Sequence, residues 1–247
     1  NGFNFLVPLT DASAQAREYS YHQANDDQNR TRFEGLGVSH QPSPWMGDRN
    51  QFSVMPVPGG NAPAGGHHAR AAIFSHDHET AHPDYYGVLL DNGIKAEMTP
   101  ANRGMLMRFT FPGDTGSVVL DSPTGDGEFS IDPATGAVTG WIDHGSGFLA
   151  GQSRMFVSGT FDQAPSSTGL AAGGRNLTKY ATFNTAGEKI VTLRLATSLI
   201  SLDQAAKNLA MEIGGQSFEE IREQARAVWN RRLGVIRVDG ASEAQLV

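Results

Sequence analysis

Histidines are the first groups in this chain whose types and spacing could do chemistry. Five of the eight lie between His67 and His82, as His67-His68 and the run Ser75-His76-Asp77-His78-Glu79-Thr80-Ala81-His82. On a strand, residues two apart point to one face, so His76 and His78 could share a metal ion. Against this, no third ligand stands at a defined spacing, and no helical zinc-type motif accompanies the pair. The competing reading makes them polar groups at a strand end or domain junction. A second group is Ser39-His40-Gln41-Pro42-Ser43-Pro44-Trp45-Met46-Gly47-Asp48. Two prolines stiffen this loop and an indole sits at its tip. Sugar recognition needs such a rigidly held aromatic: the apolar face of a pyranose packs on the ring while Asp, His and Gln side chains bond the hydroxyls. The plainer alternative is that Trp45 plugs one end of the fold.

Glycoside hydrolysis usually needs two carboxyl groups flanking the scissile bond. Asp26, Asp27, Asp48, Asp77, Glu79, Asp84 and Glu97 qualify by type, but no spacing singles out a pair. The sequence also lacks a Gly-x-Ser-x-Gly elbow, a phosphate loop and a dinucleotide fingerprint. Asn29-Arg30-Thr31 and Asn176-Leu177-Thr178 match the N-glycosylation acceptor pattern, which recurs by chance.

The elements that must position these groups are mostly strands. Gly and Pro number 29 and 12 in 247 residues, an excess that points to many turns. Half-buried strand patterns run over Phe33–Val38, Phe52–Pro56, Ala71–Ser75, Tyr86–Asp91, Ile94–Thr99, Met105–Phe111 and Gly116–Asp121. Phe129–Ile131, Val138–Ile142, Arg154–Phe161, Tyr180–Phe183 and Ile190–Ser198 complete the set. Asn92-Gly93 is a hairpin signal, and Pro58–Gly66 and Gln163–Gly174 read as loops. Turns about ten residues apart favour a sandwich or barrel over βαβ units. The predicted fold is therefore mainly β, a large antiparallel β-sandwich over residues 1–201.

After Ser201 the period changes. Leu202, Ala205, Leu209 and Ile213 recur at helical spacing, with Asp203 available to the first turn. Ser217 and Glu220 form a capping-box signature before the apolar stripe Phe218, Ile221, Ala225, Val228 and Leu233, with Gly234 as the stop. Ile236–Val238 is a possible short strand. Residues 202–247 are thus predicted as a helical linker.

Acidic residues outnumber basic ones, 26 to 19, for a formal charge of −7, which excludes a basic nucleic-acid footprint. No apolar run approaches a membrane span, and Asn1–Thr10 has no signal-peptide pattern. With no cysteine, disulfides contribute nothing.

Taken in order, several blocks resemble the N-terminal domain of glycoside hydrolase family 92, calcium-dependent exo-α-mannosidases. Gly2-Phe3-Asn4-Phe5 is similar to a variant of the family's opening loop, and His40 to Asp48 resembles its N-domain signature. Phe74 to Glu79, with Pro83 to Tyr86 and Ile94 to Thr99, resembles the next block. Ala196 to Ser201 leading into the helix Ala205–Ile213, and Trp229-Asn230 with Leu233 to Ile236, resemble the passage to a second domain. The resemblance implies a sandwich joined by helices to an (α/α)6 barrel, with the active site between them. It implies an inverting enzyme whose general acid and base stand about 6.5–9.5 Å apart. The acid, the base and most calcium ligands would belong to the barrel, which should begin where this chain stops.

On that basis no catalytic residue and no metal ligand is expected in this chain, and the chain alone is expected to be inactive. Its share would be a wall of the sugar site. Trp45 would contact the leaving-group sugar, Phe3 or Phe5 would approach the terminal mannose, and Asp48 and His40 would position the loop or add polar contacts. His76, His78 and Glu79 would organise the domain junction. The expected partners are α-mannosides such as N-glycan mannose and the barrel domain of the same polypeptide. The expected location is secreted, periplasmic or at the cell surface. The alternative from another class is a free-standing carbohydrate-binding sandwich.

Overall fold

In a computed structural model of the chain, the described residues are 4–13, 18–21, 30–39, 52–123, 125–145, 151–235 and 240. The strands are β1 (Phe5–Leu9), β2 (Arg30–Phe33), β3 (Gly35–Ser39) and β4 (Phe52–Pro58), followed by a four-residue helix, α1 (His67–Arg70). β5 (Ala72–His82), β6 (Tyr85–Leu90), β7 (Lys95–Pro100), β8 (Gly104–Thr110) and β9 (Thr115–Asp121) come next. β10 (Asp126–Ile131), β11 (Ala137–Gly145), β12 (Gln152–Phe161), β13 (Ser167–Leu170), β14 (Lys179–Asn184) and β15 (Ile190–Ser198) complete the sheets. Two helices close the described chain, α2 (Leu202–Glu212) and α3 (Phe218–Leu233). None is long and apolar enough to cross a membrane.

Two antiparallel sheets face each other, as the sequence leads one to expect. One has the order β1-β3-β4-β9-β14-β13, the other β10-β11-β12-β15-β8-β7-β6-β5-β2. The alternation seen in the sequence puts Val191, Leu193 and Leu195 of β15 between the sheets with Phe33, Phe52, Phe109, Phe129 and Phe183. The last residues of β15 are buried on both faces, because α2 lies across the outer side of β15 and β12. The Asn92-Gly93 turn forms, with Gly93 at φ +82°, a region glycine enters without Cβ strain.

Three elements differ from the sequence expectation. β1 contains Pro8, which argues against a strand, yet β1 pairs only with β3 at a sheet edge, where a missing N–H costs little. β13 lies within the expected loop Gln163–Gly174; it is a short edge strand whose Gly169 leaves room for the Tyr180 ring. β5 runs on through the histidines to His82, with a register shift between Phe74 and Glu79. That irregularity interrupts the two-residue repeat, so His76 is turned inward while His78 is exposed. The expected strand at Ile236–Val238 lies outside the described residues.

The helices begin as read. Ser217 accepts from the Glu220 N–H and the Glu220 carboxylate accepts from the Ser217 N–H, a complete capping box. Ser201 caps α2 by accepting from the Gln204 N–H at 3.1 Å, and Asp203 sits in the first turn, as read.

Candidate functional site

Of the residues expected to meet a sugar, Phe5 is described; Phe3, His40, Trp45 and Asp48 lie outside the described residues. Phe5 opens β1 directly opposite Ser39, the last residue of β3. Val38 in turn stands opposite Phe52, where β4 begins. Ser39 and Phe52, which flank residues 40–51, therefore stand at the end of the six-stranded sheet that also carries Phe5. Phe5 itself is half-buried.

A relay of hydrogen bonds ties this end to the helices. The Asn4 N–H donates to the Asn102 carbonyl at 2.9 Å, and the Thr197 hydroxyl donates to Asn4 Oδ1 at 2.5 Å. Thr197 is fully buried; its N–H bonds the Arg103 carbonyl, and its carbonyl accepts from Asn208 Nδ2 on α2 at 2.8 Å. Gln204 Nε2 then donates to Asn208 Oδ1 at 2.9 Å. The Arg103 N–H also donates to the Glu212 carboxylate at 2.6 Å. Beside the relay runs a groove of about 430 Å³ between the β7–β8 turn and the two helices, bordered by Asn4, Asn102, Gln216, Val228 and Trp229 among others.

The described carboxylates are arranged for structure. Glu97 on β7 accepts from the Tyr85 hydroxyl at 2.8 Å, and Arg108 forks onto it at 3.0 and 3.1 Å. Burial alone would raise its pKa, but bonds from Arg108, Tyr85 and Lys95 outweigh this and hold it below the usual carboxylate range. Asp84 faces Arg222 and Arg226 of α3 at 3.5 and 4.0 Å. Glu79 accepts from the Tyr19 hydroxyl at 2.8 Å, the Tyr86 hydroxyl at 2.6 Å and His76 Nδ1 at 2.7 Å. Burial first, then the hydrogen bond to Glu79 and its charge, push both phenols above their ordinary range. The His76 ring stacks on Tyr21 at 3.8 Å and turns Nε2 to the Tyr21 carbonyl at 2.6 Å. His76 and Glu79 thus pin residues 19–21 against β5 and β6.

Among the described residues, no three His, Asp or Glu side chains are grouped to hold a metal. The described residues therefore offer no carboxylate cluster of the kind calcium takes.

One network had no signal in the sequence beyond its histidines. Asp121 at the end of β9 accepts from Arg70 at 2.8 Å, from the Thr178 hydroxyl at 2.9 Å and from His67 Nε2 at 3.2 Å. His68 binds the buried Glu34 carboxylate at 2.8 Å, and Glu34 also accepts the Ala12 N–H at 2.8 Å. The short helix α1 thereby ties the end of β9 to the connection between β2 and β3.

Comparison with known proteins agrees with this architecture. Residues 1–198 match the glycosyl hydrolase family 92 N-terminal domain, and residues 204–247 match the glycosyl hydrolase family 92 catalytic domain. The chain is 29% identical over 206 residues to a protein of Arthroderma benhamiae described as an uncharacterized secreted glycosidase, covering 68% of this chain and 26% of that one. It superposes on a family GH92 inverting mannosidase of Bacteroides thetaiotaomicron with a TM-score of 0.84 and 27% identity, over 98% of this chain and 33% of that one. A GH92 family glycosyl hydrolase, ccman5, shares the fold at a TM-score of 0.78 and 23% identity, over 97% of this chain and 35% of that one. The chain thus spans about a quarter to a third of the length of these relatives.

Proposed function

The chain belongs to glycosyl hydrolase family 92, and from that premise we propose that it supplies one wall of the sugar site of an inverting exo-α-mannosidase. One observation carries the reading: Phe5 and the stem of the 40–51 loop are paired at one end of the sandwich, and the Asn4–Thr197–Asn208 relay fastens that end to α2. A stacking indole at Trp45 would then meet the leaving-group sugar, and a ring from the opening segment, Phe3 or Phe5, would approach the terminal mannose. Asp48 and His40 would position the loop or bond hydroxyls.

The general acid and base are assigned to the catalytic domain of the same polypeptide. Within this chain, Glu79, Asp84 and Glu97 are committed to phenols and guanidinium groups that hold the fold. Calcium is assigned to that domain as well, where it would bind the mannoside. The substrates are α-mannosides such as those of N-glycans, met outside the cell, a setting shared with the secreted relative.

The test is direct. The 247-residue chain with calcium and an aryl α-mannoside is expected to show no hydrolysis, and robust turnover would overturn the division of labour. Calorimetry with mannose and α-mannobiose separates the other reading: affinity at millimolar or tighter would favour a free-standing carbohydrate-binding module.

A further inference from the structure

Thr197, near the end of β15, stands where three parts of the chain cross. It is fully buried, opposite Val157 of β12. Its N–H donates to the Arg103 carbonyl in the β7–β8 turn, and its carbonyl accepts from Asn208 on α2. Both bonds use the backbone, so a valine at this position could make them equally well. The hydroxyl does what a valine could not: it donates to Asn4 Oδ1 at 2.5 Å.

Asn4 directly precedes Phe5 and β1. β1 is an edge strand paired only with β3, so the six-stranded sheet holds it from one side. The bonds of Asn4 to Asn102 and Thr197 tie the start of that strand to the nine-stranded sheet as well. Asn4 Nδ2, in contrast, is buried with no hydrogen-bond partner among the described residues. A side chain kept for stability alone would pair both ends of its amide, so Asn4 serves placement more than stability.

We infer that Thr197 is a positioning residue for the sugar site: its hydroxyl bond to Asn4 fixes where the Phe5 ring stands, and so sets affinity for the terminal mannose. This rests on the reading that the opening segment meets that sugar. A wall held less firmly weakens binding of ground state and transition state alike, so the effect falls on KM and spares kcat.

The test uses the polypeptide that joins this chain to its catalytic domain, with an aryl α-mannoside as substrate. Thr197→Val removes the hydroxyl and keeps the shape, whereas Thr197→Ser keeps the hydroxyl. Thr182→Val is the control, because it removes a buried hydroxyl bond of the same kind, to Ser117 at 2.8 Å, away from Asn4. Losing one such bond is expected to raise KM about fivefold in Thr197→Val at nearly unchanged kcat. Thr197→Ser and Thr182→Val should stay close to the parental KM. Asn4→Ala removes the other partner and leaves the bond from Asn208 to Thr197 in place. It should raise KM as Thr197→Val does, and the two changes together should raise it no further. An unchanged KM in Thr197→Val, an equal rise in Thr182→Val, or additive effects of the pair would overturn the assignment. Should Thr197→Val fail to fold, Asn4→Ala decides, and an unchanged KM there overturns it equally.

Hydrogen exchange keeps this assignment separate from the mannosidase reading. In the same polypeptides, the amides of residues 4–9 are expected to exchange faster in Thr197→Val than in the parent, and at the parental rate in Thr182→Val. If the parent does not hydrolyse the mannoside, the mannosidase reading falls, and exchange alone decides whether Thr197 holds the opening segment. Parental exchange in Thr197→Val would overturn that hold.

Discussion

His67 is held between a cation and an anion, and its geometry fixes how it carries its proton. Nδ1 stands 2.7 Å from Arg70, which can only donate, so Nε2 bears the hydrogen that faces Asp121 at 3.2 Å. The ring is neutral. Burial lowers its pKa below the ordinary 6.5, Arg70 lowers it further, and the Asp121 and Glu34 charges oppose this without reversing it. The unfolded chain therefore binds a proton at this residue at a pH where the folded chain does not. Folding stability falls as pH drops below about 6.5 toward the folded pKa. Glutamine can accept from Arg70 and donate to Asp121 without titrating. His67→Gln is expected to flatten the dependence of the urea midpoint on pH below 6.5 relative to the unmodified chain. Parallel slopes would contradict this assignment. His67 and His68 stand out in the sequence, but their partners Asp121 and Glu34 do not. Those contacts arise from folding the chain into two sheets, and no local pattern encodes them.

Helix starts are legible because their chemistry is local. Ser217 and Glu220 stand three residues apart, and their two reciprocal bonds need only the backbone between them. Ser217→Ala leaves the Glu220 N–H without its cap and is expected to cost about 1 kcal/mol, read as a lowered denaturant midpoint at unchanged slope. A midpoint within error of the parent would show that α3 is held by Phe218 and Ile221 alone. The strands divide along the same line. β6, β7, β8 and β15 announce themselves by alternation in sequence, although the fold buries most positions on both of their faces. β1 and β13 are edge strands with weak alternation, and their pairing is decided by neighbours distant in sequence. The histidine run misleads for a related reason. Same-face spacing assumes a regular pleat, and the register shift in β5 sends His76 to Glu79 and Tyr21 while His78 stays in solvent. The junction that His76 and Glu79 organise lies within the N-terminal domain, between residues 19–21 and β5–β6.

For the molecule as a whole, the two-sheet fold followed from turn spacing, whereas the family followed from blocks read in order. The candidate site was legible in part. The loop around Trp45 could be singled out by residue type, but the relay through Thr197 and Asn208 joins positions that nothing in the sequence links. That relay gives the loop its mechanical context. The stem at Ser39 and Phe52 is fixed by the sheet, and the opening segment beside it is fixed by α2. Losing a ring that stacks on a sugar should remove binding energy and leave the fold intact. In the polypeptide that includes the catalytic domain, Trp45→Ala is expected to lower kcat/KM on an α-linked mannose disaccharide by roughly five- to tenfold, the equivalent of about 1 kcal/mol of stacking. The melting temperature should move little. The effect should be smaller on a substrate whose leaving group is not a sugar, because the indole is assigned to the leaving-group side. Unchanged disaccharide kinetics would remove Trp45 from the site, and a large fall in melting temperature would make it the plug of the sandwich end instead.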